Sequence, residues 1–360
     1  MSDKNVRVQI SGSNAPPGEE TQNAPAPDSV SEQNGERHET HDGPTLESLV
    51  DIVAIDPECY ELDLNHHRVG KIENLEPLVN VERLYFRWNL IKKIENLDTL
   101  TTLRELEFYD NQITKIENLD RLVNLEILDL SFNRLTKIEN LDALVKMERL
   151  FLCANKISQI ENLDSLTNLT MLELGDNKLR KIENLDALVN LRQLYLGKNK
   201  ITKIENLDKL VNLECLSIQA NRIVKIENLE KLTNLTELYI SENGIETIEN
   251  LDQNTQIETL DLAKNRIKKI ENISHLTNLE DLWLNDNDIS DWHNVDALRD
   301  NKKLATIYLE ANPIAKDVQY RTKLKLAFYS IHSGFFCYRN YKRILRYEKK
   351  NVRNRSAALK

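Results

Sequence analysis

The chain has 360 residues, 40% of them hydrophobic, with nine glycines, eight prolines and a formal net charge of −10 at pH 7. No apolar run approaches the roughly 20 residues that a membrane span needs, and the opening residues MSDKNVRVQI carry no apolar stretch of the kind a cleaved secretion signal uses. The four cysteines, Cys59, Cys153, Cys215 and Cys337, are scattered without CxxC spacing, which reads as a reduced, intracellular chain rather than a disulfide scaffold.

Residues 1–44 are rich in Pro, Gly, Ser, Asn and acidic side chains and carry a net charge of −5, three basic against eight acidic. A segment with so little apolar surface cannot offset its ordering entropy, so it is expected to be disordered. Residues 45–60 (TLESLVDIVAIDPECY) are expected to shield the first coil of a repeat array that fills most of the chain.

From Asn89 to Asn287 every twenty-second residue is an asparagine closing the pattern LxLxxN, as in Leu128-Asp129-Leu130-Ser131-Phe132-Asn133. His67 fills the slot in a first, degenerate unit, and Asn312 closes a last one after three extra residues. A period of this length with this leucine pattern is the signature of leucine-rich repeats, each giving one short strand to a shared parallel sheet. The expected fold is therefore an α/β solenoid, a horseshoe of about twelve 22-residue repeats over 45–312 with its sheet on the concave side. One such coil has too little apolar surface to fold alone, so stability belongs to the array.

Within a coil the apolar positions are those of Leu135, Ile138, Leu141, Leu144, Met147, Leu150 and Leu152, which should stack as interior layers. The asparagine column should pair its amides with backbone groups that would otherwise be buried without partners. A second column, Asn74 to Asn272 within "KIENL", should do the same on the opposite side. The repeated Lys and Glu columns cannot mark one location and read as a solvated, charge-balanced back surface.

Positions that refuse to repeat carry the functional signal. Strand side chains alternate, so the residue between the two leucines points to the concave side. That column reads Asp63, Tyr85, Glu107, Asp129, Phe151, Glu173, Tyr195, Ser217, Tyr239, Asp261, Trp283 and Tyr308. Aromatic residues have high strand propensity wherever they fall, but propensity does not explain their interleaving with carboxylates. Large aromatics on an open sheet call for a partner, and Trp and Tyr are common interface anchors. Gly175 and Gly197 in a neighbouring column should leave room for that partner's approach. At ~4.8 Å per strand the sheet is roughly 50 Å long, and an acidic, aromatic groove suits a folded protein with a basic, apolar-centred surface.

The unit NxIxKIENLDxLxNLxxLxLxx, with KIENL in nearly every coil, resembles the sds twenty-two family of protein phosphatase 1 regulators over roughly residues 45–326. The resemblance implies a non-enzymatic regulatory subunit in the nucleus and cytoplasm. Its concave face would bind the phosphatase catalytic subunit and control its maturation, localisation or activity, at times with a small disordered inhibitor as third member. The family contacts carry over to Asp129, Phe151, Glu173, Trp283 and Tyr308. Tyr195 stands where the family has Phe, and Asp281 where it has Glu. Tyr239 and Asp261 join the expected binding residues through the column itself. The other reading is a leucine-rich-repeat scaffold for a different partner, cytoskeletal, ciliary or splicing.

No enzymatic role, cofactor or metal is expected. The seven histidines are not spaced to share a metal, and Asp129 and Glu173 lie two coils apart on an open surface, where general acid/base work lacks a shielded pocket. The acidic array, net −16, disfavours nucleic acid, and no membrane partner is expected. Residues 313–360, net +11, depart from the family after KLKLA. Phe328, Tyr329, Ile331, Phe335 and Phe336 should cover the last coil; the alternative for this tail is that the basic run Arg339–Arg355 contacts nucleic acid or an anionic membrane.

Overall fold

The computed structural model describes residues 56–331, with side chains as far as Ala327. Segment 1–44, most of the expected N-terminal cap and the basic run after Arg339 lie outside the described residues, as do Phe335, Phe336 and the side chains of Phe328, Tyr329 and Ile331. Twelve three-residue strands, from Glu61–Asp63 to Thr306–Tyr308, form one parallel sheet in strict chain order. Each strand pairs with the next in constant register, Asp129 opposite Phe151 and Phe151 opposite Glu173. The three extra residues of the last unit are absorbed without breaking it, since Trp283 pairs with Tyr308.

The interior is the stack of layers that the apolar spacing predicts. Leu135, Ile138, Leu141, Leu144, Met147, Leu150 and Leu152 are all fully buried. The same seven positions are buried in coil after coil, so one cluster runs the length of the array. Phe86 and Phe108 take leucine slots in two adjacent coils and stack with ring centroids 5.4 Å apart.

The asparagine ladder works as its chemistry requires. Asn133 Oδ1 accepts from Ile113 N at 2.9 Å, and its Nδ2 donates to Phe108 O at 2.8 Å, both in the preceding coil. Asn155, Asn177 and Asn199 repeat the arrangement. The second column donates likewise, Asn140 Nδ2 to Ile116 O at 2.6 Å. It has a further reason to be asparagine: Asn74, Asn96, Asn118, Asn140 and their successors sit at φ near 58°, the left-handed region that asparagine tolerates better than most L residues. A third ladder, at Asn124, Asn168, Asn190, Asn212 and Asn234, donates to Thr101, Val145, Thr167, Val189 and Val211 O. Its slot is not always asparagine, so the strict period conceals it.

Both ends are closed by more than another coil. At the start, Tyr60 O accepts from Glu82 N and Arg83 N, and Cys59 packs on the core. At the far end, helix α1 (His293–Asp296) and helix α2 (Tyr320–Ile331) lie over the last layers. Tyr320, Leu324 and Ala327 of α2 pack against the core. Asp317 anchors this cap: Trp292 Nε1 donates to it at 2.9 Å and Lys323 Nζ at 2.6 Å, and the Lys323 hydrogen bond first of all holds its carboxyl below the usual range.

Candidate functional site

The strand register brings eight of the nine expected residues into one transverse row. Asp129, Phe151, Glu173 and Tyr195 are consecutive neighbours, Ser217 intervenes, and Tyr239, Asp261, Trp283 and Tyr308 come next. Asp281 stands two residues back, in the parallel column between Thr259 and Thr306. Because each residue lies between two aliphatic side chains that pack into or against the core, the row lies on the outer face of the sheet, as strand alternation predicts.

The row is less open than expected. Its aromatics are half-buried, since side chains on a curved sheet at ~4.8 Å spacing lean on their neighbours. Trp283 lies 6.3 Å from the ring of Tyr239, two coils away, and 6.2 Å from that of Tyr308. Asp261, on the strand between Tyr239 and Trp283, is only 7% exposed. Its carboxylate accepts from Ser241 Oγ at 2.6 Å and Ala263 N at 3.0 Å. It therefore braces the strand end, where an open, partner-facing carboxylate was expected. Glu107 is buried in the same way against Arg87.

Gly175 departs from expectation too. A Cβ there would meet Glu173 Oε1 at 2.6 Å, and Gly175 N donates to that same oxygen at 2.7 Å. The space that a partner was expected to use is filled by the carboxylate of Glu173. At Gly197 the Gln219 amide does the filling, at 3.0 Å.

Burial sets the electrostatics. It pushes the Glu173 carboxyl up to about 7, with the Asp129 charge adding to the rise and the Gly175 N–H opposing it. Burial also raises Asp129, against hydrogen bonds from Ser131. The Cys153 thiol is pushed up to about 12 by burial and by Glu173, so it is a poor nucleophile at neutral pH. Tyr239 OH donates to Glu237 Oε2 at 2.9 Å. Trp283 Nε1 is shielded from solvent without an acceptor among the described residues. No group of three or more His, Cys, Asp or Glu among the described residues could hold a metal ion.

One surface feature is invisible to strand periodicity. His66, Trp88, Tyr109 and Phe132 form a chain of ring contacts across the first four coils, at centroid separations of 4.3, 5.5 and 4.8 Å. Trp88 and Phe132 are 41% and 45% exposed. They sit just before the ladder asparagine, at positive φ and outside the strand, where strand alternation assigns no direction.

The model of leucine-rich repeats taken two copies at a time matches residues 101–143, 123–165, 167–209, 211–253 and 255–294, together just over half the chain. The chain belongs to the leucine-rich-repeat family. It is similar to protein phosphatase 1 regulatory subunit 7 of Xenopus tropicalis, 54% identical over 43 residues, 12% of this chain and 12% of that protein. The Bos taurus protein of the same name is 50% identical over 51 residues, 14% of each. The matched segments thus span about an eighth of those relatives' length. Among solved structures, an internalin (InlF) of Listeria monocytogenes superimposes with TM-score 0.62 at 26% identity, over 76% of this chain and 88% of that one. A leucine-rich-repeat protein of Leptospira interrogans gives TM-score 0.66 at 24% identity, over 71% and 72%, a likeness of fold alone. The repeat family and the named relatives point to a protein-interaction scaffold rather than a catalyst.

Proposed function

We propose that this leucine-rich-repeat protein is a non-enzymatic regulatory subunit that binds the catalytic subunit of protein phosphatase 1 across its concave face, in the nucleus and cytoplasm. The observation that carries this reading is the continuous nine-coil row from Asp129 to Tyr308, in which five half-buried aromatics are interleaved with three carboxylates and Ser217. The short, half-identical matches to regulatory subunit 7 support the choice of partner. Phe151 between Asp129 and Glu173 would be one anchor, and Trp283 between Tyr239 and Tyr308 the other. Asp281 and Tyr195 flank these anchors, and Asp261 acts by holding its strand end. Binding of this kind would control the phosphatase's maturation, location or availability, and a small disordered inhibitor is a natural third member.

Isothermal titration of purified phosphatase catalytic subunit into the intact protein tests the reading. Tight one-to-one binding is expected, with Phe151→Ala and Trp283→Ala each weakening it by roughly 30-fold or more, as hot-spot truncations do. Absence of binding, or wild-type affinity in both variants, would remove the phosphatase as partner.

A further inference from the structure

One rim of the solenoid carries charge that the fold does not use. The residue after the ladder asparagine is Arg134, Lys156, Lys178, Lys200 and Arg222 in coils four to eight. Each backbone N–H donates to the preceding coil at 2.8 Å, which fixes the five in register along the stack. Their spacing is therefore that of neighbouring strands, ~4.8 Å. Four are exposed and Lys200 is half-exposed. None forms an ion pair with a described carboxylate, whereas Arg83, Arg87, Arg104 and Arg192 all pair across coils. The column two residues earlier offers these coils one carboxylate, Asp176, and a further cation, Lys198. Like charges in adjacent register destabilise a stack, so an uncompensated run of five is not there for the fold. At coil four the run meets the aromatic chain: Phe132 stands two residues before Arg134, with Tyr109 and Trp88 beyond it.

We infer that this rim is a second docking surface, separate from the concave row, for an extended acidic segment of another protein that carries an apolar side chain at one end. The apolar end would lie on Trp88, Tyr109 and Phe132, and the acidic stretch would run along the cations. Four intervals of ~4.8 Å are matched by about six residues of extended chain. The arrangement fits a peptide better than a nucleic acid. Its rings stack on one another at one end instead of alternating with the cations as successive base platforms would.

The probe is a fluorescein-labelled peptide of about a dozen residues, Leu-Trp followed by alternating Glu and Ser, read by anisotropy at low salt with the full chain. Saturable binding is expected. It should fall at least tenfold in a Lys156→Glu, Lys178→Glu, Lys200→Glu variant and severalfold in Phe132→Ser. A Lys181→Glu, Lys203→Glu, Lys225→Glu variant on the adjoining wall, with the same charge change, should stay within about threefold of wild type. Lys178→Ala alone, with a smaller loss, keeps the test open if the triple variant does not fold. Absence of saturable binding, or equal loss from the two triple variants, overturns the inference. Tighter binding of an oligothymidylate than of the peptide reassigns the rim to nucleic acid. A tenfold gain on changing Glu19, Glu20, Glu32, Glu36 and Glu39 to Gln assigns it to this chain's own N-terminal segment instead.

Discussion

The asparagine ladder and the concave row occupy the same coils at the same period, yet one hardly varies and the other hardly repeats. Asn177 and its counterparts bond to backbone groups, Leu152 O and Ile157 N here, and backbone is identical in every coil. Only an amide, donor and acceptor together, meets that demand, so the slot keeps its residue. Four residues earlier in each coil, Phe151, Glu173 and Tyr195 answer to side chains on either flank and to whatever covers the face. In a solenoid, then, repetition marks what holds the array together, and its loss marks where the array meets something else.

The contrast can be broken from the structural side. Leu172→Ala, in the layer beneath Glu173, should lower unfolding free energy by about 2–5 kcal/mol in a denaturant titration. A loss below about 1 kcal/mol would mean the layers are not shared. Asn177→Ala should follow with about 2–4 kcal/mol, because buried backbone donors and acceptors lose their partner. Were Asn177→Ala neutral, the ladder would be decoration.

Glu173 sharpens the contrast by pH. Its carboxyl titrates near 7 in the folded chain, above its unfolded value, so the folded state holds a proton that the unfolded state has released. Stability contributed by this group should therefore decline as pH rises from the unfolded value through about 7, then level off. Glu173→Gln, which keeps an acceptor for Gly175 N, should remove that slope, and identical melting-temperature profiles for the two proteins would show the site is not coupled to folding. A basic partner would draw the proton off, so if the proposed phosphatase presents such a surface, its affinity should rise between pH 6 and 8 in the wild type only. The smallest effect belongs to the back surface. Lys137→Ala should shift stability by under about 0.5 kcal/mol in thermal melts, as solvated surface charges do.

The period, the buried layers, both asparagine ladders within "LxLxxN" and "KIENL", and the row that faces the concave side were legible in the chain, because each depends on spacing alone. Less was legible wherever two coils share a space. Asp261 reads as an open carboxylate until Ser241 and Ala263 are seen to hold it, and Gly175 reads as an opening until Glu173 fills it. Trp88 and Phe132 lie just past the strand, where no alternation rule applies, and their stacking joins residues about 22 positions apart.

The amino-acid sequence by itself determined the solenoid, since a strict 22-residue repeat leaves the backbone one way to bury its leucines and satisfy its amides. Tertiary structure alone decided which of the non-repeating side chains stand open, which are braced and which are charged, because exposure and proton affinity on a curved sheet depend on neighbours one and two coils away.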